Sequence, residues 1–132
     1  MIKTYACVIG IVKFEDKILL LKRASGRHTS PNKWQPPSGY ISEREAAEDE
    51  VLREVKEETG LNGHIDKAGK VFEVTDDWGR WVIIPFLVNV KSNQVAIDPR
   101  EHSASVWIKP EDVTKYDLVK GVEEDLKAVG LI

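Results

Sequence analysis

The sequence predicts an α+β domain in which helices cover a β-sheet, and three observations support this fold class. Short apolar runs rich in β-branched and aromatic residues alternate with polar turns, as is typical of strands. A central segment has the start and stop signals of a helix, and a second amphipathic segment lies near the carboxyl end. The predicted strands are Tyr5 to Phe14, Lys17 to Lys22, Lys70 to Val74, Trp81 to Val90 and Val106 to Ile108.

Length and composition indicate one domain spanning residues 1–132. The chain is 42% hydrophobic and 31% charged, and its size allows a core that needs no disulfide or structural metal. A formal net charge of −3 argues against extended nucleic acid as a partner. Because no apolar run reaches about 18 residues and no secretory pattern opens the chain, we expect no membrane partner and a cytoplasmic location.

Turn residues predict two hairpins and one long loop. Glu15 and Asp16 separate the first two strands, and the sequence from Asp76 to Gly79 separates the next two. Pro85 predicts an edge or bulged strand, because proline cannot donate a hydrogen bond to a neighbouring strand. The stretch from Arg23 to Ser38 contains several Gly and Pro residues, and loops of this length in small domains are usually functional.

Two helices are predicted. Ser42 followed by Glu45 fits a capping box, and Gly60 fits a left-handed helix end, so we expect a helix from Glu43 to Thr59. Capping is the favoured role of Glu45, because on a helix it lies nearly half a turn away from the glutamates described next. The residues from Gly121 to Val129 have the apolar spacing of a second helix, and Pro110 to Asp112 suit a first helical turn.

Glutamates form a stripe along the central helix. Glu54, Glu57 and Glu58 are three and four positions apart and share one face, which Glu50 joins. Each such pair of like charges costs about 0.2 to 0.5 kcal/mol on an isolated helix, and a divalent cation would remove that cost. Oxygen ligands suit Mg²⁺. Helical spacing alone leaves open a solvated acidic face that neighbouring cations partly neutralise.

The segment from Gly39 to Leu61, GYISEREAAEDEVLREVKEETGL, resembles the signature of nudix hydrolases. That signature has the pattern Gly-x5-Glu-x7-Arg-Glu-apolar-x-Glu-Glu-x-Gly-apolar. The chain departs from many members just before it, where Ser38 replaces a glycine. Every fixed position of the signature is matched, by Gly39, Glu45, Arg53, Glu54, Val55, Glu57, Glu58, Gly60 and Leu61.

The resemblance implies a nudix-type α/β/α sandwich with a mixed β-sheet. It also implies Mg²⁺-dependent hydrolysis of a diphosphate bond in a nucleoside di- or triphosphate or a nucleoside diphosphate derivative, by metal-activated water. The partner would then be a small-molecule nucleotide, and Mn²⁺ is an alternative ion. In this resemblance Glu54 and Glu58 are the principal metal ligands, Glu57 is an additional one, and the Gly39 carbonyl is also offered to the metal.

The resemblance further implies catalytic residues. Arg53 corresponds to an arginine that orients the carboxylates, and Glu57 to a glutamate that takes part in activating the water. Glu101 lies in the loop before the Trp-containing strand, where several relatives place a general base, and Asp98 competes with it for that role. We expect His102 to be a polar loop residue.

Loop cations and aromatic residues are the candidates for substrate binding. Arg23 corresponds to a phosphate-contacting arginine of relatives, and Arg27 adds positive charge to the following loop. Trp34, Trp78 and Trp81 lie in or beside predicted loops, where an indole could stack on a nucleobase. Core packing is the usual fate of tryptophan, so we expect only one of the three to touch substrate.

Two other classes of function compete with hydrolysis. A noncatalytic sensor with the same fold would bind a nucleotide without cutting it, although such modules commonly lose the box carboxylates that this chain retains. A structural protein with a metal-free acidic helix would show no response to Mg²⁺. ADP-ribose is weakly disfavoured, because Asp76, Asp77 and Trp78 lie near the point where its hydrolases often have a proline. The sequence does not decide whether the chain forms a homodimer.

Overall fold

The computed structural model describes residues 1–41 and 45–132. Its first half holds four strands and a long helix, and its second half holds four strands, a 3₁₀ helix and a short helix. The elements are β1 (Thr4–Phe14), β2 (Lys17–Arg23), β3 (Trp34–Gln35), β4 (Ser38–Tyr40), α1 (Ala47–Thr59), β5 (Gly63–Ala68), β6 (Phe72–Asp76), β7 (Gly79–Val90), β8 (His102–Ile108), the 3₁₀ helix Pro110–Lys115 and α2 (Val122–Ala128).

The strands of the described residues form one mixed sheet. Its main path runs in the order β3-β2-β1-β7-β5, while β4 pairs with β1, β6 with β7 and β8 with β2. β1 and β7 are parallel over ten residue pairs, from Thr4 opposite Arg80 to Lys13 opposite Asn89, and the other pairs are antiparallel. The mixed sheet predicted from the family resemblance is therefore confirmed.

Alternate side chains of β1 enter two different cores. Val8 and Val12 face α1, where they belong to the clusters that also contain Val51 and Val55. Ile9 and its odd-numbered neighbours belong to the other cluster, together with the apolar side chains of α2. One helix therefore covers each face of the sheet, which confirms the α/β/α sandwich.

The start of α1 differs from the prediction. The helix begins at Ala47 and its N-cap residue, Ala46, makes no side-chain capping hydrogen bond. Ser42, the predicted cap, lies outside the described residues, and Glu45 accepts a hydrogen bond from Arg53 instead of capping the helix. The other end agrees with the prediction, since Gly60 has a left-handed φ of 77°.

Pro85 lies in a central strand, so the prediction of an edge or bulged strand is wrong. β7 has β1 on one side and two antiparallel partners, β6 and β5, on the other. β6 pairs with β7 as far as Ile83, and β5 pairs with it from Phe86 onward. Pro85 falls between these two pairings, where no antiparallel partner requires a backbone donor.

The remaining hairpins and helices follow the sequence. Both predicted hairpins form, with turns after Phe14 and after Asp76, and the helical segments near the carboxyl end are present. The sequence did not predict β3, β4 or β5, and the first two lie within or at the end of the predicted loop from Arg23 to Ser38. β8 begins at His102 rather than Val106. Within residues 1–41 and 45–132, no helix has the length and apolar content that a membrane crossing requires.

Candidate active site

A cavity of about 370 Å³ lies where α1, β4 and the loop before β8 approach one another. The carboxylates of Glu54, Glu58 and Glu101, here called the carboxylate cluster, line one part of it, next to Gly39. Another part, here called the apolar slot, is lined by Cys7, Ile9, Val74, Trp81, Ile83 and Val122. The cavity therefore joins a charged region suited to phosphates with an apolar region suited to a flat organic group.

The backbone of β4 supports the carboxylates of α1. The backbone N–H of Ser38 donates to Glu58 Oε2 over 3.0 Å. A side chain at position 39 would overlap the carboxyl group of Glu54, so Gly39 allows this carboxyl to approach the strand closely. Because Ser38 acts through its backbone, the replacement of the usual glycine at this position leaves the contact with Glu58 in place.

His102 is a buried neighbour of Glu58, which corrects its prediction as a polar loop residue. Its side chain is the first of β8, only 1% of the residue is exposed, and Nε2 lies 3.6 Å from Glu58 Oε1. Ligand atoms of Glu58, Glu101 and His102 all lie within 4.8 Å of one another. The loop glutamate and the helix glutamate thus meet at one point, as a shared cation would require.

Burial sets the electrostatics of this cluster. Desolvation raises the pKa of Glu58 well above its ordinary value, and the charge of Glu54 adds to the effect. Desolvation, followed by repulsion from Glu57, raises the pKa of Glu54 to about 7. Burial lowers the pKa of His102 to about 4, so its ring is neutral at pH 7. Buried carboxyl oxygens beside a neutral imidazole are a donor set that fits a hard divalent cation.

Arg53 connects the glutamates on the neighbouring side of α1. Its guanidinium donates through Nε to Glu45 over 3.2 Å, through Nη1 to Glu57 over 2.8 Å, and through Nη2 to the buried carboxylate of Glu50. The hydrogen bonds to Glu57 and Glu45 raise the pKa of the guanidinium. Glu57 is exposed and, unlike Glu54, is not among the residues that line the cavity.

We expect Arg53→Ala to lower the affinity for Mg²⁺ and the turnover rate by about 10- to 100-fold, because the carboxylates would lose their common donor. Arg53→Lys should restore little, since an ammonium group lacks the planar fork. The measurement is hydrolysis rate against Mg²⁺ concentration. Lys56→Ala is the matched control, because it removes the same charge from the same helix. Lys56 donates to the Gly60 carbonyl and not to a carboxylate. Equal effects of Arg53→Ala and Lys56→Ala would contradict this role.

Comparison with known proteins shows the family. Residues 1–128 match the sequence profile of the NUDIX domain. The chain belongs to the Nudix hydrolase family. The resemblance predicted from the segment between Gly39 and Leu61, the Nudix box, is therefore confirmed.

Relatives of this Nudix chain include proteins named as hydrolases. It is 34% identical over 126 residues to the m7GpppN-mRNA hydrolase NUDT17 of Danio rerio, an alignment that covers 81% of this chain and 40% of that protein. It is 24% identical to the nucleoside triphosphatase NudI of Escherichia fergusonii, over 95% of this chain and 96% of that protein. The chain thus spans less than half of one relative and nearly all of the other.

Solved structures agree on the fold. The MutT protein from Methanosarcina mazei Go1 superposes with a TM-score of 0.81 at 23% sequence identity, over 92% of this chain and 88% of that one. At this level of identity the similarity concerns the fold alone. It supports the sandwich derived above from the two cores of the Nudix sheet.

Two arginines line the cavity near the Nudix box. Arg23 is buried, and it donates from Nε to the Thr29 carbonyl and from Nη2 to Thr29 Oγ1, both over 2.9 Å. Desolvation, with repulsion from Arg27, lowers the pKa of Arg23. Arg27 donates to the Glu101 carbonyl over 3.2 Å. Both predicted phosphate-binding residues therefore lie in the cavity that holds the carboxylate cluster.

The three candidate tryptophans occupy different environments. Trp81 lines the cavity and stacks on Tyr5 with ring centroids 5.7 Å apart. Trp34 makes an edge contact with Tyr116, and Trp78 is exposed in the turn between β6 and β7. Trp34 and Trp78 are absent from the cavity lining. Of the three, Trp81 alone lines the cavity, and contact of one tryptophan with substrate stays a prediction.

Sequence reasoning missed several residues of the cavity. Tyr40 lies beside Tyr5, with ring centroids 5.4 Å apart. Gln35 and Asp125 line the cavity as buried polar groups. Desolvation raises the pKa of Asp125 well above its ordinary value, with a contribution from Glu124. An acidic residue at an otherwise apolar position of a helix is a sequence signal that could have identified Asp125.

Cys7 also lines the cavity but is not a reactive thiol. Burial, with a smaller effect from Asp125, raises the pKa of Cys7 to about 12, so the thiolate form is scarce at pH 7. The predicted competitor of Glu101, Asp98, bonds Arg100 through both carboxylate oxygens. It is not among the cavity-lining residues.

Proposed function

We propose that this chain is a Mg²⁺-dependent hydrolase of a diphosphate bond in a nucleoside di- or triphosphate or a nucleoside diphosphate derivative. The observation that supports this most directly is the continuity of the cavity. The carboxylate cluster, two arginines and the apolar slot line the same space of about 370 Å³. A nucleotide has matching parts, because its phosphates need cations and its base needs an apolar surface.

The metal would be held by Glu54 and Glu58, with Gly39 offering its carbonyl and Glu57 joining as an additional ligand. When bound, Mg²⁺ neutralises charge on the phosphate oxygens and lowers the pKa of a coordinated water. Mn²⁺ would serve in the same oxygen-rich site. His102 would help to hold Glu58 in place, since its Nε2 lies 3.6 Å from Glu58 Oε1. The position of the Glu58 carboxylate also depends on the backbone N–H of Ser38, and the absence of a side chain at Gly39 leaves room for the Glu54 carboxyl group.

Proton transfer is the function we assign to the loop before β8. Glu101 is exposed and lines the cavity, and its carbonyl accepts hydrogen bonds from Ala24 and Arg27. These bonds fix the backbone while the carboxylate remains open to the cavity. A general base needs this combination of fixed position and access to the reacting water.

Arg23 and Arg27 are the proposed phosphate contacts. The bonds from Arg23 to Thr29 hold one edge of its guanidinium in place before substrate arrives. A pre-ordered arginine loses little conformational freedom when it binds a phosphate, which favours bidentate recognition. Trp81 is the proposed aromatic contact for the base.

The deciding experiment is a panel of nucleoside triphosphates and nucleoside diphosphate derivatives incubated with Mg²⁺ or with EDTA. We expect cleavage of at least one compound with Mg²⁺ and none with EDTA. A nucleoside triphosphate would release phosphate or pyrophosphate, and a nucleoside diphosphate derivative would give a nucleoside monophosphate and a phosphorylated second group. A compound that binds in calorimetry but is not cleaved under any metal condition would instead support a sensor. Full turnover in both Glu57→Gln and Glu58→Gln would contradict the proposed mechanism.

We expect Mg²⁺ to raise the melting temperature of the wild type, because it relieves repulsion within the carboxylate cluster and binds the folded state only. At a hundredfold excess over Kd the stabilisation should be about 2.7 kcal/mol. Glu58→Gln should lose most of this response, whereas Lys56→Ala should keep it. Thermal unfolding against Mg²⁺ concentration is the measurement, and an unchanged melting temperature would support a metal-free acidic helix.

The proposal also includes the domain organisation, the cellular location and the oligomeric state of the chain. We treat residues 1–132 as one domain, which is supported by the pairing of β1 with β7 and by the contact of α2 with β1. A cytoplasmic location fits nucleotide substrates, which are abundant there. Chromatography with light scattering would show whether the chain forms the homodimer that the sequence leaves open.

A further inference from the structure

One glutamate of α1 is completely buried beside the active site without lining the cavity. Glu50 is 0% exposed and is not among the cavity-lining residues, whereas Glu54, about one turn later on the same helix, lines the cavity. The carboxylate of Glu50 accepts a hydrogen bond from Arg53 Nη2. The same nitrogen lies 3.5 Å from Glu54 Oε1. One arm of the Arg53 guanidinium is therefore held between a buried carboxylate and a carboxylate of the proposed metal site.

Packing alone does not explain a carboxylate at position 50. An ionised carboxylate loses its hydration when it is buried, and apolar side chains of similar volume often replace a buried ion pair without loss of stability. Val51 and Val55 show that apolar residues fill the neighbouring space beneath α1. The carboxylate of Glu50 therefore costs stability, and its contact with Arg53 indicates where its role lies.

The other contacts of this arm of α1 involve proposed metal ligands. Arg53 Nη1 donates to Glu57 over 2.8 Å, and Nη2 lies near Glu54. A divalent cation would attract the oxygens of both carboxylates, so the arginine and the cation would compete for the same acceptors. Glu50 has no exposed surface and does not line the cavity, so a cation in the cavity would leave its bond to Arg53 in place.

Charge balance supports the same role for Glu50. Arg53 carries a positive charge beside the place where a divalent cation would bind, and like charges at short distance repel each other. The negative charge of Glu50 offsets that of Arg53, and because Glu50 is shielded from solvent, salt weakens this compensation little. With a neutral side chain at position 50, the guanidinium would repel the cation and bind Glu54 more closely, so the affinity for Mg²⁺ would fall.

We propose that Glu50 is a positioning residue of the metal site, which holds Arg53 and compensates its charge so that Glu54 and Glu57 remain available to Mg²⁺. This inference rests on the proposed function, because it concerns the metal of the same site. Glu50 acts through Arg53 and does not touch the cation. Its removal should therefore affect metal affinity more than the chemical step.

The first test is calorimetric titration of the metal-free protein with Mg²⁺, without substrate. Glu50→Gln keeps the size of the side chain and removes its charge, and we expect it to weaken Mg²⁺ binding by about tenfold. Glu50→Met, a second neutral variant whose apolar side chain suits a buried position, should show the same loss. Glu50→Asp keeps the charge and should weaken binding by no more than about threefold. Melting temperatures near that of the wild type would show that the neutral variants are folded.

The matched control is Glu48→Gln, which removes the same charge from an exposed position of the same helix. It should bind Mg²⁺ as the wild type does, because solvent screens an exposed charge. Equal losses in Glu48→Gln and Glu50→Gln would show a general effect of helix charge and would contradict a specific role of Glu50.

A double-mutant cycle with Arg53→Ala tests whether Glu50 acts through this arginine. In the Arg53→Ala background, Glu50→Gln should change Mg²⁺ affinity by less than about threefold, because the group that it positions is gone. Steady-state kinetics provide a second measurement. The half-saturating Mg²⁺ concentration of Glu50→Gln should rise by about tenfold, while kcat at saturating Mg²⁺ should stay within about threefold of the wild type. A purely structural defect would lower kcat at every Mg²⁺ concentration.

Two further results would overturn the proposal. One is equal Mg²⁺ affinity in Glu50→Gln and the wild type, which includes the case in which neither binds Mg²⁺. The other is an undiminished effect of Glu50→Gln in the Arg53→Ala background. Failure of the proposed function has a different signature, namely Mg²⁺ binding without cleavage of any compound of the panel. Calorimetry without substrate therefore decides this inference whether or not the chain cuts the compounds.

Discussion

Glu58→Gln should lower kcat by about a thousandfold, and this is the largest effect that we expect from a single substitution. Glu58 is 7% exposed, accepts a backbone hydrogen bond from Ser38 and lies beside Glu101 and His102. Its charge is the one that a cation in the cavity would neutralise most fully, because solvent does not screen it. A thousandfold loss corresponds to about 4 kcal/mol of transition-state stabilisation.

Glu57→Gln provides the comparison, because it removes the same charge from the adjacent position. Glu57 is exposed and bonded to Arg53, outside the cavity lining, so we expect a loss of only about tenfold. Steady-state rates at saturating Mg²⁺ with the best substrate of the panel are the measurement. If Glu57→Gln were the more damaging variant, the carboxylate cluster would have been assigned to the wrong glutamates.

Asp125→Asn should stabilise the protein in the absence of ligand by about 1 to 3 kcal/mol at neutral pH, because an amide does not ionise and so avoids the cost of a buried, unpaired charge. Asp125 is 4% exposed, and desolvation together with the charge of Glu124 raises the pKa of its carboxyl in the folded state. Substitution by asparagine removes the ionisation and keeps the shape of the side chain.

The raised pKa of Asp125 determines how the stability advantage of Asp125→Asn changes with pH. Because the folded-state pKa of Asp125 lies above the unfolded value of about 3.9, the folded state binds the proton more tightly. The wild type is therefore favoured fully below pH 4 and loses that contribution as pH rises toward the folded-state pKa. The advantage of Asp125→Asn should be small at pH 4 and grow with pH.

Denaturant unfolding of both proteins at several pH values, with Glu124→Gln as control, measures this advantage. Glu124 is exposed, so its variant should show a much smaller change with pH. A stability difference between Asp125→Asn and the wild type that stayed constant from pH 4 to pH 8 would contradict a buried, titrating carboxyl group.

Part of the candidate site could be predicted from local sequence. The Nudix box contains Glu54 and Glu58, and a helix brings residues at that spacing onto one face without help from the rest of the chain. The hairpin after Phe14 is local for the same reason, since its turn residues set its register. Local rules suffice where the interacting groups are close in the chain.

The parts that the sequence did not predict depend on distant contacts. β5 carries mostly exposed residues, so it lacks the apolar pattern of a strand and is held by its pairing with β7. His102 reaches Glu58 only because β8 pairs with β2, and Pro85 is tolerated only because of the gap between β5 and β6. Asp125 and Gln35 line the same cavity from distant parts of the chain, and no short motif predicts this.

The alternation of side chains along β1 has an evolutionary consequence. Residues such as Val8 support the helix that bears the Nudix box, whereas Cys7 and Ile9 border the apolar slot on the opposite face. Mutations on α2 can therefore reshape the slot while the packing under the box is unchanged. An ancestor with this architecture could acquire new substrates by drift on one side of a single strand and keep its catalytic apparatus on the other.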